Sequence, residues 1–126
     1  MKQVISSTKA PAAIGPYSQA IRTGNLFFLS GMLPIDPATG EFAPGGATEQ
    51  TEQIFKNIKG LLEDAGLTLE HVVKTTVFLH DMADFGAMNE VYSKHFQLPY
   101  PARSAFAVKT LPKNALVEIE IIASLD

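Results

Sequence analysis

The chain has 126 residues, 46% of them hydrophobic and 18% charged, which suits one domain, 1-126, that can bury a core without a covalent staple. It contains no cysteine, which excludes disulfides, thiolate catalysis and sulfur-ligated zinc. Ten basic against thirteen acidic residues leave a net charge of -3, which opposes the phosphate neutralisation of general nucleic-acid binding.

Met1 to Ser7 lacks the apolar core of a signal peptide and no run of apolar residues is long enough to span a bilayer, so a soluble cytoplasmic protein is expected. In chain order, Gln3 to Ser6 and Ser18 to Arg22 read as extended. A turn at Thr23, Gly24 and Asn25 then joins the second segment to the apolar run Leu26 to Leu29 as a hairpin. Pro34 to Gly46 holds three prolines and three glycines, a loop with at most a short edge strand. A helix follows, with Thr48 as its cap, Ile54, Phe55, Ile58, Leu61, Leu62 and Ala65 at helical spacing, and Gly66 as its stop. Val72 to Leu79 is rich in β-branched residues and predicts a buried strand. Asp81 and Asp84 suit the first turn of a second helix, whose inner face carries Phe85, Met88, Tyr92 and Phe96 and which Pro99 and Pro101 end. Ser104 to Leu111 and Leu116 to Leu125 flank a turn at Pro112, Lys113 and Asn114, as in an antiparallel hairpin. The expected fold class is α+β, a mostly antiparallel sheet with two helices packed on one face.

Alternation in the last strand places Val117, Ile119, Ile121, Ala123 and Leu125 on one face and Glu118 with Glu120 on the other. In the preceding strand the same rule sends Phe106 and Val108 to the core and leaves Arg103, Ala105, Ala107 and Lys109 with the glutamates. One acceptable hairpin register sets Lys109 opposite Glu118 and Arg103 near Ser124, which separates Arg103 from Glu118 by about 20 Å. Any single site using both groups would then combine them from different subunits. The mixed second face, with Ala105, Ala107 and Ile122, leads to the expectation of a closed oligomer; a solvated sheet face is the alternative.

Few side chains are placed for chemistry. Arg103 follows Pro101 and Ala102, and a guanidinium on a proline-stiffened backbone suits bidentate recognition of a small carboxylate, or else a surface ion pair. Glu118 and Glu120 are general bases or solvated charges. Tyr17, after Gly15 and Pro16, can orient a ligand or cover apolar surface. His71, His80 and His95 have no spacing that converges on a metal, and neither a nucleophile elbow nor a phosphate loop is present.

These residues resemble the reactive intermediate deaminase family, the RidA or YjgF-like group, over nearly the whole chain. The most specific block is Pro101, Ala102, Arg103 and Ser104, followed by an apolar strand, Leu111, a short turn, and Val117, Glu118 and Ile119. Ala13 to Ser18, Leu29 to Gly31 and Val73 to Val77 match further blocks. The resemblance implies a chorismate-mutase-like fold and a homotrimer with sites in the clefts between subunits. It also implies cofactor-free hydrolysis of 2-imino acids such as 2-iminopropanoate and 2-iminobutanoate, or their enamine tautomers, to 2-oxo acids and ammonia. The imines would come from pyridoxal-dependent dehydratases acting on serine or threonine. Carried over by position, Arg103 would bind the substrate carboxylate and Glu118 would position or activate the attacking water. Tyr17 would complete the catalytic set, while Ser30, Gly31 and Asn89 would shape the pocket. Ala105 and Met32 stand where some relatives have cysteine and glutamine. A non-enzymatic regulatory or chaperone-like trimer is the main alternative. An RNA-cleaving role ranks third, because the acidic chain lacks a basic aromatic platform.

Overall fold

The computed structural model describes all 126 residues. Six strands form one sheet: β1 (Gln3–Ile5), β2 (Ala20–Thr23), β3 (Leu26–Met32), β4 (Val72–Leu79), β5 (Ala102–Ala107) and β6 (Val117–Ser124). Helix α1 (Ala47–Asp64) joins β3 to β4, and α2 (Phe85–His95) joins β4 to β5. The strand order is β1-β2-β3-β6-β4-β5, and only β4 with β5 is parallel.

Both helices pack on one face, as the apolar spacing predicts. Ile54, Phe55, Ile58, Leu61 and Leu62 of α1 are buried against Phe27 and Leu29 of β3, Val77 and Leu79 of β4, and Val117, Ile119 and Ile121 of β6. Phe55 is the hinge between helices, stacked on His95 at 4.4 Å and edge-on to Tyr92 and Phe96. Gly66, with φ +79°, takes the left-handed conformation that ends α1.

Three details differ from the sequence reading. Gly46, not Thr48, caps α1, and Glu49 Oε1 accepts a 2.8 Å bond from its N–H. Asp81 caps a short 3-10 turn (Met82–Asp84) ahead of α2 by accepting from the Ala83 N–H, and Phe96 lies just past the end of α2.

The largest difference is the pairing of β5. It makes no hairpin with β6; α2 carries the chain back so that β5 lies parallel to β4 at the sheet edge, and β6 is inserted between β3 and β4. The register Thr75↔Arg103 and Thr75↔Ile121 puts Arg103, Ala105 and Ala107 on the helix side of the sheet. Phe106 goes to the open side instead, 45% exposed and edge-on to Phe78 at 5.5 Å. The proposed neighbours of Lys109 with Glu118 and of Arg103 with Ser124 therefore do not form. The face assignment of β6 is as expected for Val117, Ile119, Ile121 and Ala123, which are buried, and for Glu118 and Glu120, which face away from the helices; Leu125, expected on the core face, lies past the end of the strand and is 41% exposed.

Candidate active site

Two groups of candidate residues are built by different parts of the fold. The first gathers on the open side around β3 and β6. An irregularity in β3 pairing between Leu29 and Met32 brings Gly31 against the Glu118 side chain. A Cβ at residue 31 would stand 2.7 Å from Glu118 Oε2, so the carboxylate occupies space that only glycine leaves free. Beside it, a small cavity of about 80 Å³ is lined by Tyr17, Ser30, Gly31, Met32, Ile14 and Lys113. Tyr17 is half exposed at its rim, while Ser30 Oγ donates to the Ser18 carbonyl at 2.7 Å and so ties β3 to the Tyr17 loop.

Burial pushes the Glu118 carboxyl above its usual value, and the negative charge of Glu120 adds to the shift. A carboxylate moved in that direction is a better proton acceptor near neutral pH than an exposed glutamate.

Three side-chain amides hold this group in place. Gln19 Nε2 donates to the carbonyls of Ser7, Ala10 and Pro11 and thereby organises the segment that presents Tyr17. Asn57 of α1, fully buried, donates to the carbonyls of Leu33 and Ile35 at 3.3 and 2.8 Å, fixing the loop that leaves β3. Gln50, two turns earlier on α1, accepts from the Leu116 N–H at 2.8 Å and anchors the entry to the Glu118 strand. None of these three is among the sequence candidates. Gln50 and Asn57 did leave a signal: they occupy the same helical stripe as Ile54 and Leu61, where a polar side chain must find a buried partner.

The second group lies at the sheet edge on the opposite side. Arg103 Nη1 donates to Asn89 Oδ1 at 2.6 Å, and the guanidinium lies over the rings of Tyr92 and Phe85 at 4.7 and 5.4 Å. The surface ion-pair alternative is not realised: the ion pairs are Lys9 with Glu63 and Asp64, and His95 with Glu52. Arg103 is thus a cation held by a neutral amide and two aromatic faces, with no carboxylate of its own.

Within one chain the two groups do not meet. Two strands across and three residues along place the Arg103 and Glu118 backbones about 14 Å apart, less than the 20 Å of the hairpin register, but their side chains leave opposite faces of the sheet. The open face between them carries Phe28 and Phe106, 41% and 45% exposed, together with Ile122. A cavity of about 840 Å³ between the C-terminal ends of both helices includes Lys59, Glu63, Phe96 and Leu98 but none of the candidate residues. No three of the His, Asp and Glu side chains gather as a metal-binding set, and no helix is long and apolar enough to cross a membrane.

Residues 7–125 match the family model described as endoribonuclease L-PSP. The chain belongs to this family, the RidA or YjgF-like group. Among its relatives, a RutC family protein, y4sK, of Sinorhizobium fredii is 54% identical over 125 residues, 99% of each chain. A mouse protein named 2-iminobutanoate/2-iminopropanoate deaminase is 50% identical over 123 residues, covering 98% of this chain and 91% of the relative. The crystal structure of RidA from the Antarctic bacterium Psychrobacter sp. PAMC 21119 superimposes with a TM-score of 0.93 at 48% identity, covering 98% of this chain and 99% of that one. The α+β fold with both helices on one face is that of these RidA proteins.

Proposed function

We propose that the chain acts in the cytoplasm as a single RidA-like domain in a homotrimer, and hydrolyses 2-imino acids such as 2-iminopropanoate and 2-iminobutanoate to 2-oxo acids and ammonia. The observation that carries this reading is the division of the candidate residues. Arg103 with Asn89 faces one side of the sheet edge and Glu118 with Tyr17, Ser30 and Gly31 faces the other, so a working site needs Arg103 from a neighbouring subunit. The partly apolar open face, with Phe28, Phe106 and Ile122, suits burial against copies of itself.

The chemistry asks little of the protein. The imine carbon is electrophilic and becomes more so when its nitrogen carries a proton. Arg103 holds the substrate carboxylate through two parallel N–H bonds, which fixes the imine carbon relative to a water beside Glu118. Water adds to the C=N bond as Glu118 takes up its proton. Glu118 then returns that proton to the nitrogen of the tetrahedral aminoalcohol and accepts the hydroxyl proton as the C–N bond breaks, so that the ketone forms, ammonia leaves and Glu118 releases its proton to solvent. Tyr17 closes the rim, and partial exclusion of water strengthens the Arg103 contact. No step requires a cofactor. The name of the mouse relative, at 50% identity, supports the substrate class.

The family description also names an endoribonuclease, but a net charge of -3 gives no electrostatic footprint for RNA. The test is ammonia release from imines generated in place by a threonine or serine dehydratase. The parent protein should accelerate it and Arg103→Ala should abolish the acceleration while leaving the assembly intact. Equal rates for the variant and the parent would remove Arg103 from the mechanism, and no acceleration by the parent would favour a non-enzymatic binding module.

A further inference from the structure

An arginine on an outer strand with no acidic partner would ordinarily sample many rotamers, and each would have to be frozen out again when an anion arrives. Arg103 is not in that condition. Tyr92 and Phe85, one helical face of α2, bracket its guanidinium at 4.7 and 5.4 Å, and Asn89 from the same helix takes Nη1. Tyr92 is itself fixed: its ring is only 6% exposed, lies against Phe55 and Phe96, and its hydroxyl pairs with Thr75 Oγ1 at 2.8 Å inside the core. Since Thr75 is the register neighbour of Arg103 on β4, the same strand pairing sets both the arginine and the tyrosine that supports it. With Nη1 engaged, Nε and Nη2 remain as the paired donors that match a carboxylate.

We propose that Tyr92 and Phe85 are positioning residues, whose ring faces hold the Arg103 guanidinium in one plane so that the carboxylate meets a preformed fork. The proposal rests on the carboxylate-binding reading given above and adds to it the cause of the orientation. Tyr92 acts through its ring, so the hydroxyl serves stability and the aromatic face serves the ligand.

The experiment measures binding of 2-oxobutanoate, the product carboxylate, by titration calorimetry for the parent, Tyr92→Phe, Tyr92→Leu, Phe85→Leu and Arg103→Ala. It is paired with ¹⁵N relaxation of the Arg103 Nε–H without ligand. Loss of either ring face should weaken binding by about tenfold and increase Nε–H motion, whereas Tyr92→Phe should bind like the parent though melting at lower temperature. Tyr92→Leu removes a buried ring; if it does not fold, Phe85→Leu, at a half-buried ring with no hydrogen bond, carries the test. Parent-like binding and an equally ordered Nε–H in folded Phe85→Leu would overturn the proposal, as would a Tyr92→Phe variant that loses ligand as severely as Tyr92→Leu. Failure of the underlying reading has a different signature: Arg103→Ala would bind 2-oxobutanoate like the parent while the relaxation differences among the ring variants persisted.

Discussion

Replacing Gly31 by alanine probes the carboxylate of Glu118 through a single added methyl. That methyl would lie 2.7 Å from Oε2, 3.0 Å from Cδ and 3.3 Å from Cγ of Glu118, where ordinary contact begins at 3.4 Å. The neighbour is the far end of a flexible side chain, so the carboxylate yields and the backbone stays; it must retreat by about 0.7 Å or rotate away. Misplacing a reacting group by about 1 Å costs on the order of a hundredfold. Gly31→Ala should therefore lower kcat/KM for 2-iminobutanoate hydrolysis by roughly a hundredfold, equivalent to about 2.7 kcal/mol in the barrier, with a near-parental melting temperature. The assay is the dehydratase-coupled release of ammonia, run also in a Glu118→Ala background. There the obstacle is gone, and adding Gly31→Ala should change the residual rate by no more than about twofold. Parent-like kcat/KM for Gly31→Ala, or a full hundredfold loss on top of Glu118→Ala, would refute the claim that Gly31 acts by making room for Glu118.

Two further predictions concern the same half of the site. Glu118 has a folded-state pKa above its unfolded value, because burial and Glu120 both favour the neutral form. The native state then binds more protons, and stability falls as pH rises through the window from the ordinary glutamate value of 4.5 up to the raised pKa. Glu118→Gln should flatten that decline and raise the melting temperature at neutral pH while lowering kcat, as checked by thermal melts across pH 4 to 8 beside the ammonia assay. Asn57→Ala should destabilise the fold by about 1–3 kcal/mol in urea, because the carbonyls of Leu33 and Ile35 lose a buried donor. It should also loosen the loop beside the small cavity, seen as faster amide exchange from Leu33 to Phe42.

Local chemistry was legible, and long-range pairing was not. The apolar stripe of α1, the stop at Gly66, the β-branched run of β4 and the split faces of β6 all follow from periods of 3.6 and 2, which a short window displays. The partner of β5 does not. Pro112, Lys113 and Asn114 carry the residue types of a hairpin turn, and Lys113 and Asn114 do adopt positive φ of 55° and 57°, yet they connect strands that are not neighbours. Alternation within β5 divides its residues into two sets without saying which faces the helices. Phe106, as the larger apolar residue, draws the core assignment, while the structure uses it on the open face against Phe78. That error also hid the supports of Arg103. Once β5 is placed beside β4, Arg103 comes under α2, and Phe85, Asn89 and Tyr92 become its neighbours. The separation of Arg103 from Glu118 within one chain was reached from the wrong register and holds on the right one, because opposite faces divide the two side chains more firmly than distance along a strand.

The most direct test of a site shared between subunits is complementation between two inactive chains. Arg103→Ala and Glu118→Gln proteins, each inactive alone, would be co-expressed and purified as mixed trimers. Each mixed trimer contains one cleft of its three in which an intact Arg103 meets an intact Glu118, so purified mixed trimers should show about a third of parental activity, and the unfractionated random assembly about a quarter. Activity no higher than that of either variant alone, in trimers shown by mass spectrometry to be mixed, would contradict the shared site.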